Sequence, residues 1–402
     1  MADTNPKNKL HFATKAIHAS RKPANQHGCV NNGIYQSSTI VFNTYDEFTY
    51  ADSIYYNKNR TVPDVQSYGR DGIHTMVECE QALAQMYGMN FAKVTSCGYT
   101  AVTVAINAFS KAGGHILITD GAYGPSRFFV EKTLARYGVE STFYDPRLPA
   151  EEIEQLIKPN TTLIYIESPS SLTFEVQDIA GIANIGKKHK IPVVADNTFF
   201  TSYYCNPFNL GVDVVVDSCT KFVSGHSDIM MGSVISTEQY AYDIFNSYRE
   251  LGVNTTGMNA YYAMRGLRTM KTRVEAHTKG VDAVISEIKK HQKITKILHP
   301  SQEDNVGYKY YKNQYTGYTS LFTAVLDQKY NDESLAKFFN NLKLFSMGYS
   351  WGGYESLVTR VPDLAKIRKS YPYGENTAVR FYIGLEEPED LIVDIISSLN
   401  LL

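Results

Sequence analysis

Between Lys93 and Val216 the chain repeats one pattern: a short apolar, β-branched run, then a segment with helical spacing. Lys93–Ser96, His115–Thr119, Val139–Tyr144, Thr162–Ile166, Ile191–Ala195 and Val212–Val216 read as strands. Ala101–Phe109, Pro125–Tyr137, Glu151–Ile157 and Ile179–His189 read as the helices between them. Strands that are short and apolar almost throughout are buried on both faces. The alternation therefore predicts an α/β fold, a mostly parallel sheet with helices on both faces. Ligands of such sheets lie at the carboxyl ends of the strands. Cys97-Gly98-Tyr99, Asp120 to Tyr123, Glu167-Ser168, Asp196-Asn197-Thr198 and Ser218 to Lys221 all fall there.

The flanks read differently. Residues 1–70 are rich in Asn, Tyr, Thr and Ser, with little sustained periodicity. Their aromatic run, Tyr45 to Tyr56, speaks against disorder. We read them as an arm that packs on another surface, a neighbouring subunit. His74–Tyr87 has helical spacing and opens a large domain, residues 71–265. A long helical stretch over 256–291 leads into a smaller C-terminal α/β domain, residues 266–402. There, Leu321–Leu326 and Val379–Ile383 read as strands, and Asp332–Asn341 and Glu389–Leu399 as helices.

A chain of 402 residues has room for two such domains. Its net charge of −2 gives no footprint for nucleic acid or an anionic membrane. The start, Met1 to Pro6, lacks a secretory signal, and no apolar run is long enough to span a bilayer. The five scattered cysteines form no C-x-x-C pair, which suits a reducing cytosol better than a disulfide framework. With no H-e-x-x-H and no close histidine pair, no metal is assigned. Neither a Gly-rich dinucleotide fingerprint nor a P-loop occurs, against a Rossmann dehydrogenase or a P-loop NTPase.

The chemistry centres on Asp217 to Ser227, where Lys221 stands among Ser218, Thr220, Ser224 and Ser227, just past a buried strand. Hydroxyls and backbone amides suit a phosphate, and a lysine at an apolar strand end can shed its proton. Together they point to pyridoxal 5'-phosphate (PLP), held through a lysine imine. A surface lysine beside a hydrophilic turn is the plainer reading; the convergence of strand ends decides against it. Gly98 and Tyr99 stand between a strand and a helix N-terminus, an arrangement that binds anions. Asp196 ends a wholly apolar strand and needs a partner, either a protonated pyridine nitrogen or a structural one. Tyr123, on a turn after a strand, can stack on a flat ring or simply pack. Tyr68 and Arg70 can grip a phosphate or form a solvated pair. Arg380, inside an apolar strand, wants a carboxylate, from substrate or from the protein.

Taken together these residues resemble the Cys/Met-metabolism family of PLP enzymes, from Tyr68-Gly69-Arg70 through Asp217–Gly232 to Arg380. Leu344 to Leu357, with Tyr349-Ser350-Trp351 at its centre, is most similar to the bacterial cystathionine β-lyases within that family. Glu167-Ser168-Pro169 and Thr220 to Asp228 fit the same pattern. The resemblance implies the aspartate aminotransferase-like fold type I. It also implies Lys221 as the cofactor's anchor and proton carrier, Asp196 on the ring nitrogen and Tyr123 on the ring face. Gly98, Tyr99, Ser218 and Thr220 would hold the phosphate, joined by Tyr68 and Arg70 from a neighbouring subunit. Tyr349, Ser350, Trp351 and Arg380 would bind the substrate. The implied activity is β-elimination of cystathionine in methionine biosynthesis, by a cytosolic homotetramer, with γ-elimination as the alternative. Two positions depart from the pattern. Phe128 stands where the best-known β-lyase has an acidic residue, and Asp71 where a second arginine is common.

Overall fold

The computed structural model describes residues 10–55, 66–364, 368, 370 and 374–402. Strands β1 (Phe91–Thr95), β2 (His115–Thr119), β3 (Glu140–Tyr144), β4 (Thr161–Glu167), β5 (Val193–Asp196), β6 (Val214–Asp217) and β7 (Gly232–Ser236) form one sheet. Its order is β1-β7-β6-β5-β4-β2-β3. The five neighbours from β6 to β3 run parallel; β7 is antiparallel to both β6 and β1. Strands β8 (Ile294–Leu298), β9 (Leu321–Leu326), β10 (Ser346–Met347), β11 (Leu357–Arg360) and β12 (Ala378–Tyr382) form a second sheet, ordered β10-β11-β12-β9-β8.

Apolar runs covered on both sides make the large sheet the core. Leu163, Ile164, Val193, Val194, Val214 and Val215 are fully buried, and each such side chain stabilises by about 1.5–3 kcal/mol as an upper bound. Helix Ile179–His189 starts where the Asp178 carboxylate accepts a hydrogen bond from the Gly181 N–H at 3.0 Å. The parallel order brings the carboxyl ends of β4, β5 and β6 side by side. Glu167 faces Asp196 in register, and Asp196 faces Val216.

Several expectations need correction. β7 was not anticipated, because Gly-Ser-Val-Ile-Ser offers only the short apolar pair Val234-Ile235 between polar residues; it is nonetheless buried at every position. The expected helix Pro125–Tyr137 changes pitch: an α-turn over Gly124–Phe128, a π-turn over Phe129–Thr133, then a 3₁₀ turn over Leu134–Tyr137. The stretch 256–291 is two helices, Gly257–Leu267 and Met270–Ile288, broken at Arg268-Thr269.

The arm is not uniform either. Helix Phe12–His18 docks on its own chain, with Ala16 and Ala19 in the core and Arg268 donating to the Ala19 carbonyl at 2.9 Å. Farther along, Val41, Tyr45, Phe48 and Tyr50 are exposed. Tyr56, the end of the aromatic run, lies outside the described residues. No helix among the described residues is long and apolar enough to cross a membrane.

Candidate active site

The strand ends open into a pocket of about 210 Å³. Gly98, Tyr99, Tyr123, Asp196, Ser218, Thr220, Lys221, Tyr349, Trp351 and Arg380 line it, drawn from both sheets. Ser350 joins them by contact: Lys221 Nζ donates to its hydroxyl at 2.7 Å. Lys221 Nζ also lies 5.3 Å from the Trp351 ring centre. This approach depends on Gly352, at φ +92°, where a Cβ would come within 2.7 Å of Lys221 Cα. The loop that resembles the β-lyases therefore packs directly on the Lys221 turn.

Lys221 is primed to lose its proton. Burial, and then the positive charge of Arg380, bring its pKa down to about 8. Arg380 is itself buried, which lowers its pKa to about 10. Its guanidinium donates to the Tyr349 carbonyl at 2.9 Å. No carboxylate among the described residues forms an ion pair with it, so the fork retains capacity for one from a substrate.

The candidate phosphate cradle lies where β1 turns into helix Gly98–Asn107. Cys97 is the N-cap and accepts from the Thr100 N–H at 3.4 Å. The N–H groups of Gly98 and Tyr99 lie in the first turn, without intrahelical acceptors. Gly98 sits hard against Ser218: a Cβ there would fall 2.4 Å from the Ser218 hydroxyl. Ser218 is held in turn by the Thr198 hydroxyl, which accepts its N–H at 2.9 Å. The Thr220 hydroxyl is committed to the Met231 backbone, donating at 3.1 Å and accepting at 2.9 Å. It lines the cradle while bracing the turn.

Gly98→Ala is expected to push Ser218 out of place and weaken PLP binding about tenfold, from an overpacking cost of about 1–3 kcal/mol. A cofactor titration followed by absorbance reads this, and an unchanged affinity would remove Gly98 from the cradle.

Asp196 tests the fit of a pyridine ring. Desolvation raises its pKa, opposed by hydrogen bonds from Thr198, whose N–H donates at 3.0 Å. No lysine, arginine or histidine among the described residues pairs with it. A protonated ring nitrogen would supply the missing cation. Tyr123 is held by its backbone, whose N–H donates to Glu167 at 2.7 Å. The residues present thus suit PLP: an anion cradle, a desolvated carboxylate for the ring nitrogen, an aromatic beside it and a lysine of lowered pKa.

Tyr68 and Arg70 do not reach this pocket in their own chain. They line a separate hollow with Ser37, Ser38 and Asn254 to Gly257. Asp71 turns away from chemistry: its carboxylate pairs with Arg70 at 3.5 Å, and its carbonyl accepts from the buried Lys93 at 2.9 Å. Phe128 is 60% exposed and does not line the pocket. Sequence reasoning reached Ser168 and Pro169 but missed the rest of this wall, Ser170 to Leu172 with Phe174, because Leu172 and Phe174 adopt φ of +68° and +60° without a glycine to signal the turn. It also assigned no role to Glu167 or Asp217, although both end strands beside Asp196.

Fold and site together define a PLP-dependent enzyme of fold type I. More narrowly, the chain belongs to the Cys/Met metabolism PLP-dependent enzyme family, whose sequence profile matches residues 13–400. It is 37% identical over 388 residues to an L-alanine/L-glutamate racemase of Wolbachia pipientis wMel, covering 95% of each chain. It is 33% identical to cystathionine beta-lyase MetC of Escherichia coli K12, over 95% of this chain and 96% of that one. The crystal structure of metB from Corynebacterium glutamicum superposes with a TM-score of 0.88 at 27% identity, over 98% of this chain and 99% of that one.

Proposed function

We propose that the protein is a carbon–sulfur lyase that β-eliminates L-cystathionine to homocysteine, pyruvate and ammonia, with other cysteine S-conjugates as further substrates. The observation that carries this reading is the 2.7 Å contact between Lys221 and Ser350. It sets the candidate base against the Tyr349-Ser350-Trp351 loop, the part of the chain that resembles β-lyases.

When bound, PLP supplies the electron sink that makes a substrate Cα proton removable. The chain's residues do the remaining work. Arg380 binds the α-carboxylate through its fork. Lys221, as the neutral amine, takes the Cα proton and passes it to the departing homocysteine sulfur, and water then releases the remaining three carbons as pyruvate and ammonia. Asp196 would hold the ring nitrogen in its charged form, Tyr123 and Trp351 would flank the bound group, and Gly98, Tyr99, Ser218 and Thr220 would hold its phosphate.

Product analysis tests the reading. With L-cystathionine the expected products are pyruvate and homocysteine. 2-Oxobutyrate instead would move the assignment to γ-elimination.

A second reading is favoured by the Wolbachia relative: amino-acid racemisation, in which Lys221 takes the Cα proton from one face and a second acid supplies a proton to the other. L-Alanine converted to D-alanine, without keto-acid release from cystathionine, would replace the lyase assignment.

The same reading carries a homotetramer, a dimer of dimers in the cytosol. Tyr68 and Arg70 then complete the phosphate site of a neighbouring subunit. The exposed apolar side chains Val41, Tyr45, Phe48 and Tyr50 support a covering partner. The three-part division at residues 70 and 265 belongs to this proposal too.

A further inference from the structure

Arg368 lies outside the pocket, yet it ties the two sheets together at the pocket's wall. Its side chain is 4% exposed. It donates to the Thr173 hydroxyl and pairs with Glu175 at 3.4 Å. Its Nε lies 3.8 Å from Asp120. Two residues on, Ser370 donates to the same Asp120 carboxylate through its N–H at 3.0 Å and its hydroxyl at 2.7 Å.

Each partner adjoins the wall. Asp120 follows β2 and leads into Tyr123. Thr173 and Glu175 hold the 168–175 loop, which lines the pocket through Ser168 to Leu172 and Phe174. Leu172 adds an apolar contact, packing on Val361, Leu364 and Ala378. Ala378 opens β12, the strand that carries Arg380. The Tyr123 side and the Arg380 side of the site are therefore joined by one buried cluster.

The charges in this cluster balance. Asp120 and Glu175 face Arg127 and Arg368, all buried or nearly so. Buried ion pairs of this kind add little net stability against neutral isosteres, but they fix geometry where the fork demands it. A fork that joins Thr173 and Glu175, with its Nε toward Asp120, is a spacer of defined length.

We propose that Arg368 is a positioning residue, which sets the distance between Arg380 and the wall carrying Tyr123 and so fixes how the substrate carboxylate seats. This goes beyond the assignment of the reaction, because every amino-acid substrate of the site needs that spacing.

The test uses the holoenzyme and whichever amino acid the wild type turns over, so its outcome does not depend on β-elimination or racemisation. Arg368→Met is expected to raise KM on the order of tenfold or more, with kcat within about threefold. A general loss of stability would also harm the enzyme, so a second variant separates the two. Arg368→Met with Glu175→Gln removes the fork and its counter-charge together, leaving Asp120 with Arg127. Its thermal midpoint is expected to recover while KM stays raised. Arg368→Lys, which keeps the charge without the fork, is expected to fall between wild type and Arg368→Met. If KM recovers with the midpoint in the double variant, or stays within about twofold of wild type in Arg368→Met, the positioning role is overturned.

Discussion

Lys221→Ala is expected to stop turnover, lowering kcat by at least about 10⁴-fold while the protein still folds and binds PLP without a covalent bond. The side chain has two tasks that no neighbour duplicates. On the proposed reading it anchors the cofactor and carries the Cα proton. A free lysine at neutral pH is almost wholly charged and a poor base. Burial and the charge of Arg380 bring Lys221 to about 8, so roughly a tenth of it is neutral at pH 7. Alanine removes base and anchor together but leaves Gly98, Ser218 and Asp196 in place to hold the cofactor. Two measurements check this. Borohydride reduction followed by peptide mass mapping should place the cofactor on Lys221 in the wild type and nowhere in the variant. Added methylamine should restore a measurable part of turnover to the variant, since it supplies the missing base without repairing any packing. A variant that keeps more than about a hundredth of the wild-type rate would sink the central assignment.

The elements that were legible in the sequence have clean local signals. His115–Thr119, Leu321–Leu326, Ile179–His189 and Asp332–Asn341 end where periodicity and caps put them. Asn331, for instance, accepts the Ser334 N–H at 2.9 Å and so marks its helix start. β7 was illegible because what makes it a strand is pairing on both edges with β1 and β6, far from its own sequence. The pitch change after Phe128 has no Gly or Pro to announce it. In the site, Asp196 and Lys221 could be read from strand ends alone. Ser350 could not, because 129 residues separate it from Lys221, and only the family resemblance brought it forward. Tyr68 and Arg70 show the limit of a single chain: their motif is local, but the site proposed for them would belong to another copy.

The strand ends also pose a question that sequence could not frame: which carboxylate holds the ring nitrogen. Glu167, Asp196 and Asp217 all line the pocket at the ends of β4, β5 and β6. Desolvation, and then the charge of Asp196, raises Glu167; the same two causes take Asp217 to about 8. Asp217 is therefore mostly protonated at neutral pH, with the Tyr87 hydroxyl 3.1 Å from its Oδ2 and Asn197 donating to Tyr87 at 3.0 Å. Glu167 is engaged by the Tyr123 N–H. Asp196 stands between them and is the one that both flanking groups respond to as a negative charge. Asp196→Asn is thus expected to lower kcat about 10²- to 10⁴-fold, from the loss of a buried charge pair of about 3–5 kcal/mol. It should also let PLP dialyse away more readily. Asp217→Asn, an uncharged stand-in for a group already protonated, is expected to cost less than about tenfold. Turnover and cofactor retention measured on both variants decide the matter. If Asp217→Asn proves the more damaging, the ring nitrogen faces β6 rather than β5, and the charge at the strand ends is held by the other aspartate.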